Sequence, residues 1–300
     1  IIDNGYAYEV DGNIYFDVEK FAEEYPYGEM ANKDLDQLKD EAESRVEEDR
    51  KKKNQYDFAL WLNAEGTGHL MKWNAKFEIE DRLVKSTGYP GWHIECSVMG
   101  QKYLGEEFDI HAGGKDHIFP HHPNERAQCF AATGEGQARY WLHNEFVKWE
   151  GEQMSKSTGN FVTVRDLLDN FSGDAIRLYI NSSHYRSETN FSIEVIKKAE
   201  KELKKARRVV QRIRNSPGNK VMDIEGLKNS FEEGMDDDLN TAKAKQALME
   251  FVSEANSRLE KGEMLDEEVA DKIEELFAVL GVKLDPEVSN AEEGMADLLL

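Results

Sequence analysis

Cysteine is scarce. Cys96 and Cys129 are the only thiols among 300 residues. Two thiols make no disulfide framework, so a reducing cytoplasm is the expected setting. Long apolar runs are missing too. None reaches the roughly 18 residues that a membrane helix needs, so no membrane partner is expected. No signal peptide precedes the first elements, and a start at Ile1 instead of Met suggests a piece of something longer. Positive charge is in deficit, with 38 Lys and Arg against 60 Asp and Glu and a net charge of -22. Such acidity opposes general binding to phosphate backbones. Residues 197–220 are the exception: ten basic residues face only Glu200 and Glu202 there.

The length allows two domains or more. Tyr6–Val10 and Asn13–Asp17 flank Asp11-Gly12 and predict a hairpin with a two-residue turn. Residues 33–54 are charged and polar and read as a solvated helix or a loop. Phe58–Leu62 reads as a buried strand, and residues 63–90, with Gly66, Gly68, Gly88 and Pro90, as an irregular insertion. A short helix is expected over His93–Tyr103, and a strand over Phe108–His111 running into Gly113-Gly114. Another helix follows Pro120 as far as Gly134, and a second apolar strand covers Ala138–Val147. Strand, glycine-rich turn and helix in succession describe a nucleotide-binding sheet, whose ligands gather at strand carboxyl ends. Beyond Val164 the pattern turns helical, with amphipathic helices over 191–214, 235–260 and 265–280.

Chemistry concentrates between Gly91 and Glu125. Cys96, a histidine pair at His121-His122 and the carboxylate of Glu125 supply the donor types that zinc prefers. His121 and Glu125 are four apart and would share a helix face, whereas His122 would align with Arg126. Pro123 disfavours helical geometry at His122, so the helix starts either at Pro120 with a distorted first turn or after His122. A buried core cysteine is the plain reading for Cys96 alone, and it is the one that fits Cys129. Gly113-Gly114 followed by Asp116 suits close backbone approach to a nucleotide, with a carboxylate for a ribose hydroxyl. The loop Met154-Ser155-Lys156-Ser157 reads either as a polar surface loop or as an arm carrying Lys156 onto phosphates, with two hydroxyls assisting.

Taken together, Gly91-Trp92-His93-Ile94-Glu95-Cys96-Ser97, Phe108–His111, Phe119-Pro120-His121-His122, Tyr140–Asn144, Met154–Asn160 and His184–Ser187 resemble the cysteinyl-tRNA synthetases, a class I aminoacyl-tRNA synthetase family. Met235–Thr241 resembles the helical domain of that family, so the resemblance covers essentially the whole chain. It implies an α/β fold: the second half of a Rossmann-like catalytic domain, followed by an all-α helical bundle. It further implies ATP-dependent ligation of cysteine to tRNA(Cys) through cysteinyl-adenylate, with Mg2+ accompanying ATP. Zinc bound by Cys96, His121 and Glu125 would take the substrate thiolate. Trp92 would wall the amino-acid pocket; His111, Gly113, Gly114 and Asp116 would face the adenosine and aminoacyl moiety. Lys156 matches the second lysine of the KMSKS loop and, with Ser155 and Ser157, would hold ATP phosphates. The expected organisation is a hairpin and insertion over 1–90, the second catalytic half over 91–164, a linking helical region over 165–195 and a tRNA-binding domain over 196–300. A monomer is expected.

Four departures from the family pattern stand out. The HIGH motif and an upstream cysteine are missing and are expected before Ile1, so the chain alone is expected to be inactive. Gln153 replaces the first lysine of the loop, Ala112 a glycine, and Pro123 a residue usually acidic. Two rivals remain. A related cysteine ligase of mycothiol synthesis would share zinc and ATP but have little use for the basic helical tail. A non-catalytic RNA-binding descendant of a synthetase is the other.

Overall fold

The computed structural model describes residues 1–37, 52–149, 151–153 and 162–284. The chain divides into two compact units, Ile1–Asn144 and Glu145–Leu300.

The first unit opens with the expected hairpin, β1 (Ala7–Val10) and β2 (Asn13–Phe16). Asp11 and Gly12 both take positive φ, 52° and 81°, as a primed turn requires. Asp17 then caps α1 (Val18–Ala22) by accepting from the Lys20 amide. Strand β3 (Phe58–Asn63) follows, and β4 (Trp73–Ile79) and β5 (Arg82–Pro90) complete a five-stranded sheet ordered β1-β2-β3-β5-β4. Residues 63–90 are thus not an irregular insertion. No local turn signal marks this hairpin, because its turn, Glu80-Asp81, reaches φ of 51° and 60° without glycine or asparagine. The glycines serve packing instead: a Cβ on Gly88 would collide with the Leu62 carbonyl of β3.

Helix α2 (Trp92–Leu104) starts at Gly91, whose amide donates to the Leu60 carbonyl at 2.9 Å. There is no room for a Cβ on Gly91 against the Ala59 carbonyl, so the helix start is fixed against β3. Strand β6 (Glu107–Gly114), a 3-10 turn (Lys115–Ile118), helix α3 (His121–Thr133) and strand β7 (Gln137–Asn144) follow. β6 and β7 pair in parallel from Glu107↔Gln137 to Gly114↔Asn144. A parallel pair needs a crossover, and α3 supplies it. Pro123 sits in the first helical turn, where its missing amide would have no partner anyway, so the helix begins before it. Gly134 ends α3 with φ of 85°. Phe16, Phe21, Phe58, Ile14 and Ala127 belong to the core of this unit.

The second unit starts with β8 (Val147–Trp149), so the apolar stretch 138–147 is divided between two strands. β9 (Glu152–Gln153) and β10 (Thr189–Phe191) flank β8 in a small sheet. Helices α4 (Val164–Leu168) and α5 (Gly173–Ile180) begin at Thr163 and Ser172 caps. Helix α6 (Ile193–Asn215) buries Ile196, Ala199, Leu203, Ala206, Val210 and Ile213, a stripe at three- and four-residue spacing. Three more helices pack with it in one core: α7 (Ile224–Asp236), α8 (Thr241–Glu260) and α9 (Glu267–Val279). The helix expected over 235–260 is therefore two elements. Asp238 and Leu239 both take φ of 54°, which no helix accommodates, and Asn240 caps the next helix. Among the described residues no helix is long and apolar enough to cross a membrane.

Candidate metal and nucleotide site

Three elements of the first unit converge where β6 and β7 end. Helix α2 brings Trp92, His93 and Cys96, the crossover brings His117, His121, His122 and Glu125, and the strands bring His111, Trp141 and His143. Six of the chain's eight histidines meet here.

The donors of Cys96, His121 and Glu125 lie within 4.8 Å of one another, and so do those of His111, His122 and Glu125. Glu125 is the shared member and is 0 % exposed. Its Oε2 lies 3.0 Å from His111 Nε2 in a hydrogen bond. Its Oε1 lies 2.9 Å from His121 Nε2, but off the line of a hydrogen bond, and has no such partner among the described residues. A carboxylate oxygen buried without a donor is costly unless a cation completes it. The residues therefore fit a metal: soft sulfur, imidazole nitrogen and an unsatisfied carboxylate oxygen converge, as zinc requires.

Electrostatics agree with that fit. Burial and the other imidazoles lower the pKa of His122 to about 3. The same causes bring His93 to about 4, and burial lowers His121 despite Glu125. These rings stay neutral and keep a lone pair to offer. Burial, helped by Glu125 and Glu95, raises the Cys96 thiol. A bound cation reverses that last effect, because it stabilises the thiolate directly.

The other residues singled out from the sequence fall as follows. Trp92 is 63 % exposed and lies over His121, ring centres 4.6 Å apart. His111 belongs to the Glu125 side of the cluster, with its ring against the edge of Trp141. Gly113 makes room for imidazoles: an added Cβ would sit 2.7 Å from His122 and 2.8 Å from His117. The side chain of Asp116 folds back on Gly114. Cys129 is buried, its thiol pushed up to about 12, in keeping with a core role. Ser155, Lys156 and Ser157 lie outside the described residues.

His93, His117, His143 and Trp141 were not assigned to the site from sequence. The signal was density, six histidines between residues 93 and 143, rather than spacing within one element. His143 Nε2 lies 2.8 Å from His122 Nδ1, and His93 Nδ1 lies 2.7 Å from His121 Nδ1.

Residues 1–201 match the family described as tRNA synthetases class I (C) catalytic domain, and residues 230–285 match the DALR domain. The chain therefore belongs to the class I (C) tRNA synthetase family. It is 44% identical over 293 residues to the cysteine–tRNA ligase of Caldicellulosiruptor saccharolyticus, covering 94% of this chain and 60% of that protein. The cysteine–tRNA ligase of Carboxydothermus hydrogenoformans is 43% identical over 88% of this chain and 55% of its own length. Among solved structures, the ternary complex of Agrobacterium radiobacter K84 agnB2 LeuRS with tRNA and LeuAMS shares the fold, with a TM-score of 0.50 at 16% identity. It covers 72% of this chain and 37% of the synthetase chain. The chain thus spans about 60% of the length of the first curated relative.

Proposed function

We propose that this chain is the later part of a cysteine–tRNA ligase. The observation that carries the reading is the meeting of Cys96, His121 and Glu125 around an unsatisfied buried carboxylate oxygen. Those three residues would hold zinc. Zinc, when bound, supplies a soft Lewis acid that prefers a substrate thiolate to an alcohol, a distinction that shape alone makes poorly. Trp92, lying over His121, would cover the amino-acid side of the site.

The reaction needs no protein nucleophile. An oxygen of the cysteine carboxylate attacks the α-phosphorus of ATP and pyrophosphate leaves; a terminal ribose hydroxyl of tRNA(Cys) then attacks the acyl carbon and AMP leaves. The protein's part is positioning and charge stabilisation. Gly113, Gly114, Asp116 and His111 would face the nucleotide, and Lys156 with Ser155 and Ser157 the phosphates of ATP, with Mg2+. Residues 196–300 would meet the tRNA, in a cytoplasmic monomer.

Support for a tRNA surface comes from α6. Lys197, Lys201, Lys204 and Arg208 are exposed along one face. Of these, Lys204 pairs with Glu200 at 3.3 Å, while Arg207 and Arg214 are held away from that face by Asp174 and Glu274, each at 2.8 Å. This basic face favours the ligase over the mycothiol enzyme.

No HIGH motif occurs in the 300 residues, so the isolated chain is expected not to form adenylate. Measurable ATP–pyrophosphate exchange by it would overturn that expectation. The test of the metal reading is zinc content by atomic emission, beside a Cys96→Ser variant. Near-stoichiometric zinc that falls in the variant is expected. Equal zinc in both would remove Cys96 from the site.

A further inference from the structure

We propose that Gln137 is a positioning residue: its side-chain amide holds Glu125 with Oε1 turned to Cys96 and His121. It thereby decides which of the two donor sets that share Glu125 takes the metal. This rests on the metal reading above for its purpose, though one arm of its test does not.

Gln137 is the first residue of β7 and stands in register with Glu107 of β6. Three features around it run against ordinary stability. Its φ is 71°, in the left-handed region that a residue bearing a Cβ rarely enters. It is 0% exposed, yet its Oε1 has no hydrogen-bond partner among the described residues. A buried amide oxygen left unpaired is unfavourable. The interior of α2 carries Gly100, a poor residue for a helix. A Cβ there would stand 3.0 Å from Gln137 Nε2, so the glycine makes room for the amide. An apolar residue at 137 would remove the unpaired oxygen, and a glycine would remove the backbone strain as well.

The glutamine obtains one contact in return: Nε2 donates to Glu125 Oε2 at 3.5 Å. An amide nitrogen can only donate, whatever the state of the imidazoles around it. It therefore marks one carboxylate oxygen and not the other. Oε2 is the oxygen on the side of the His111 and His122 set, 3.0 Å from His111 Nε2. Oε1 lies on the His121 side, 2.9 Å from its Nε2, and accepts no hydrogen bond among the described residues. With Oε2 held by the amide, the carboxylate cannot turn about its last bond without breaking that contact. Oε1 stays open toward Cys96 and His121. A cation there meets sulfur, nitrogen and a free oxygen, whereas the other set offers two imidazoles and an oxygen already in use. Hydrogen bonds from outer residues orient ligating carboxylates in metal sites generally.

The test compares the full chain with Gln137→Leu, which keeps bulk and loses the amide, and Gln137→Gly, which also relieves the backbone. Co2+ is the probe, because a cobalt-bound thiolate has its own charge-transfer band in the near ultraviolet. The wild type is expected to show that band. Both variants are expected to bind Co2+ about 10–100-fold more weakly, with a smaller thiolate band per bound cobalt as the His111 and His122 set competes. Affinity and band equal to wild type, in either variant that folds, would overturn the proposal. So would a lowered denaturation midpoint of the metal-free chain with the band per bound cobalt unchanged, the outcome of a merely structural role. Crystal structures of metal-free wild type and Gln137→Gly read the carboxylate without any ion. Glu125 is expected to keep Oε2 on Gln137 in the wild type and to turn in the variant. An unmoved carboxylate overturns the proposal whether or not the chain takes a metal. A wild type that binds no Co2+ would sink the metal reading, and the two crystal structures would then decide the positioning of Glu125.

Discussion

At the scale of single residues, environment separates two thiols that look alike in the sequence. Cys96 is half-buried in the histidine cluster, whereas Cys129 is 1% exposed with its thiol pushed up to about 12. Iodoacetamide near neutral pH is therefore expected to modify Cys96 and spare Cys129, as read by peptide mass spectrometry. Zinc should protect Cys96. Comparable labelling of both thiols in the native protein would contradict the assigned burial. Asp57 is the other informative residue. It is buried and accepts from Tyr8 Oη at 2.7 Å and from the amides of Val18 and Asn54 at 3.0 Å. Burial nevertheless raises its pKa, outweighing those bonds. A carboxyl whose folded pKa is raised supports the native state below its unfolded pKa. That support is lost as pH rises through the folded value. The stability of wild type minus that of Asp57→Asn should accordingly shrink from pH 4 to 7 in denaturant titrations. A difference that grows over this range would refute the sign.

Elements depend on a few close approaches. Strand β5 lies beside β3 because residue 88 has no side chain; the Leu62 carbonyl occupies the space that a Cβ would need. Gly88→Ala is expected to cost about 1–3 kcal/mol, the usual range for overpacking, read as a lowered midpoint in chemical denaturation. An unchanged midpoint would mean that the sheet can part there freely. In the helical unit, Lys245 Nζ bonds Ser182 Oγ at 2.6 Å and pairs with Glu202 at 2.7 Å, with Lys245 only 8% exposed. Lys245→Ala strands a partly buried carboxylate, and a loss of roughly 2–3 kcal/mol is expected, below the range for a fully buried pair. Lys245→Met, which keeps the stem, should cost less, since packing along the chain survives. Equal losses would assign the effect to charge and not volume.

The whole molecule combines a strong net charge of -22 with a local basic helix. Each of the two units has its own core, and that of the second lies wholly within residues 167–284. If α6 meets tRNA through Lys197, Lys201, Lys204 and Arg208, the contact is ionic and displaces counterions. Replacing Lys197 and Lys201 by Ala should weaken tRNA binding and flatten the plot of log affinity against log salt by about 1–2 in slope. A parallel plot for the variant would return α6 to a solvated face. The curated relatives are longer than this chain, so the full-length protein is the proper setting for that measurement.

Local rules were enough for much of this. Asp11-Gly12 announced its turn, Gly134 its helix end and the α6 stripe its buried face, because turn chemistry and helical periodicity act over a few residues. The spacing of His121 and Glu125 likewise follows from one helical turn. The β4–β5 hairpin and the division at Asp238-Leu239 stayed hidden because ordinary residues adopt left-handed φ there, held by pairing and packing that no local pattern encodes. The cluster itself belongs to tertiary structure. His93 and His121 are 28 residues apart and come from different helices, yet their nitrogens lie 2.7 Å apart. The sequence determined which donors are available and that they suit zinc. Only the packing of α2 and α3 at the ends of β6 and β7 decided which donors share a proton, which carboxylate oxygen is left without one, and so where a cation has reason to bind.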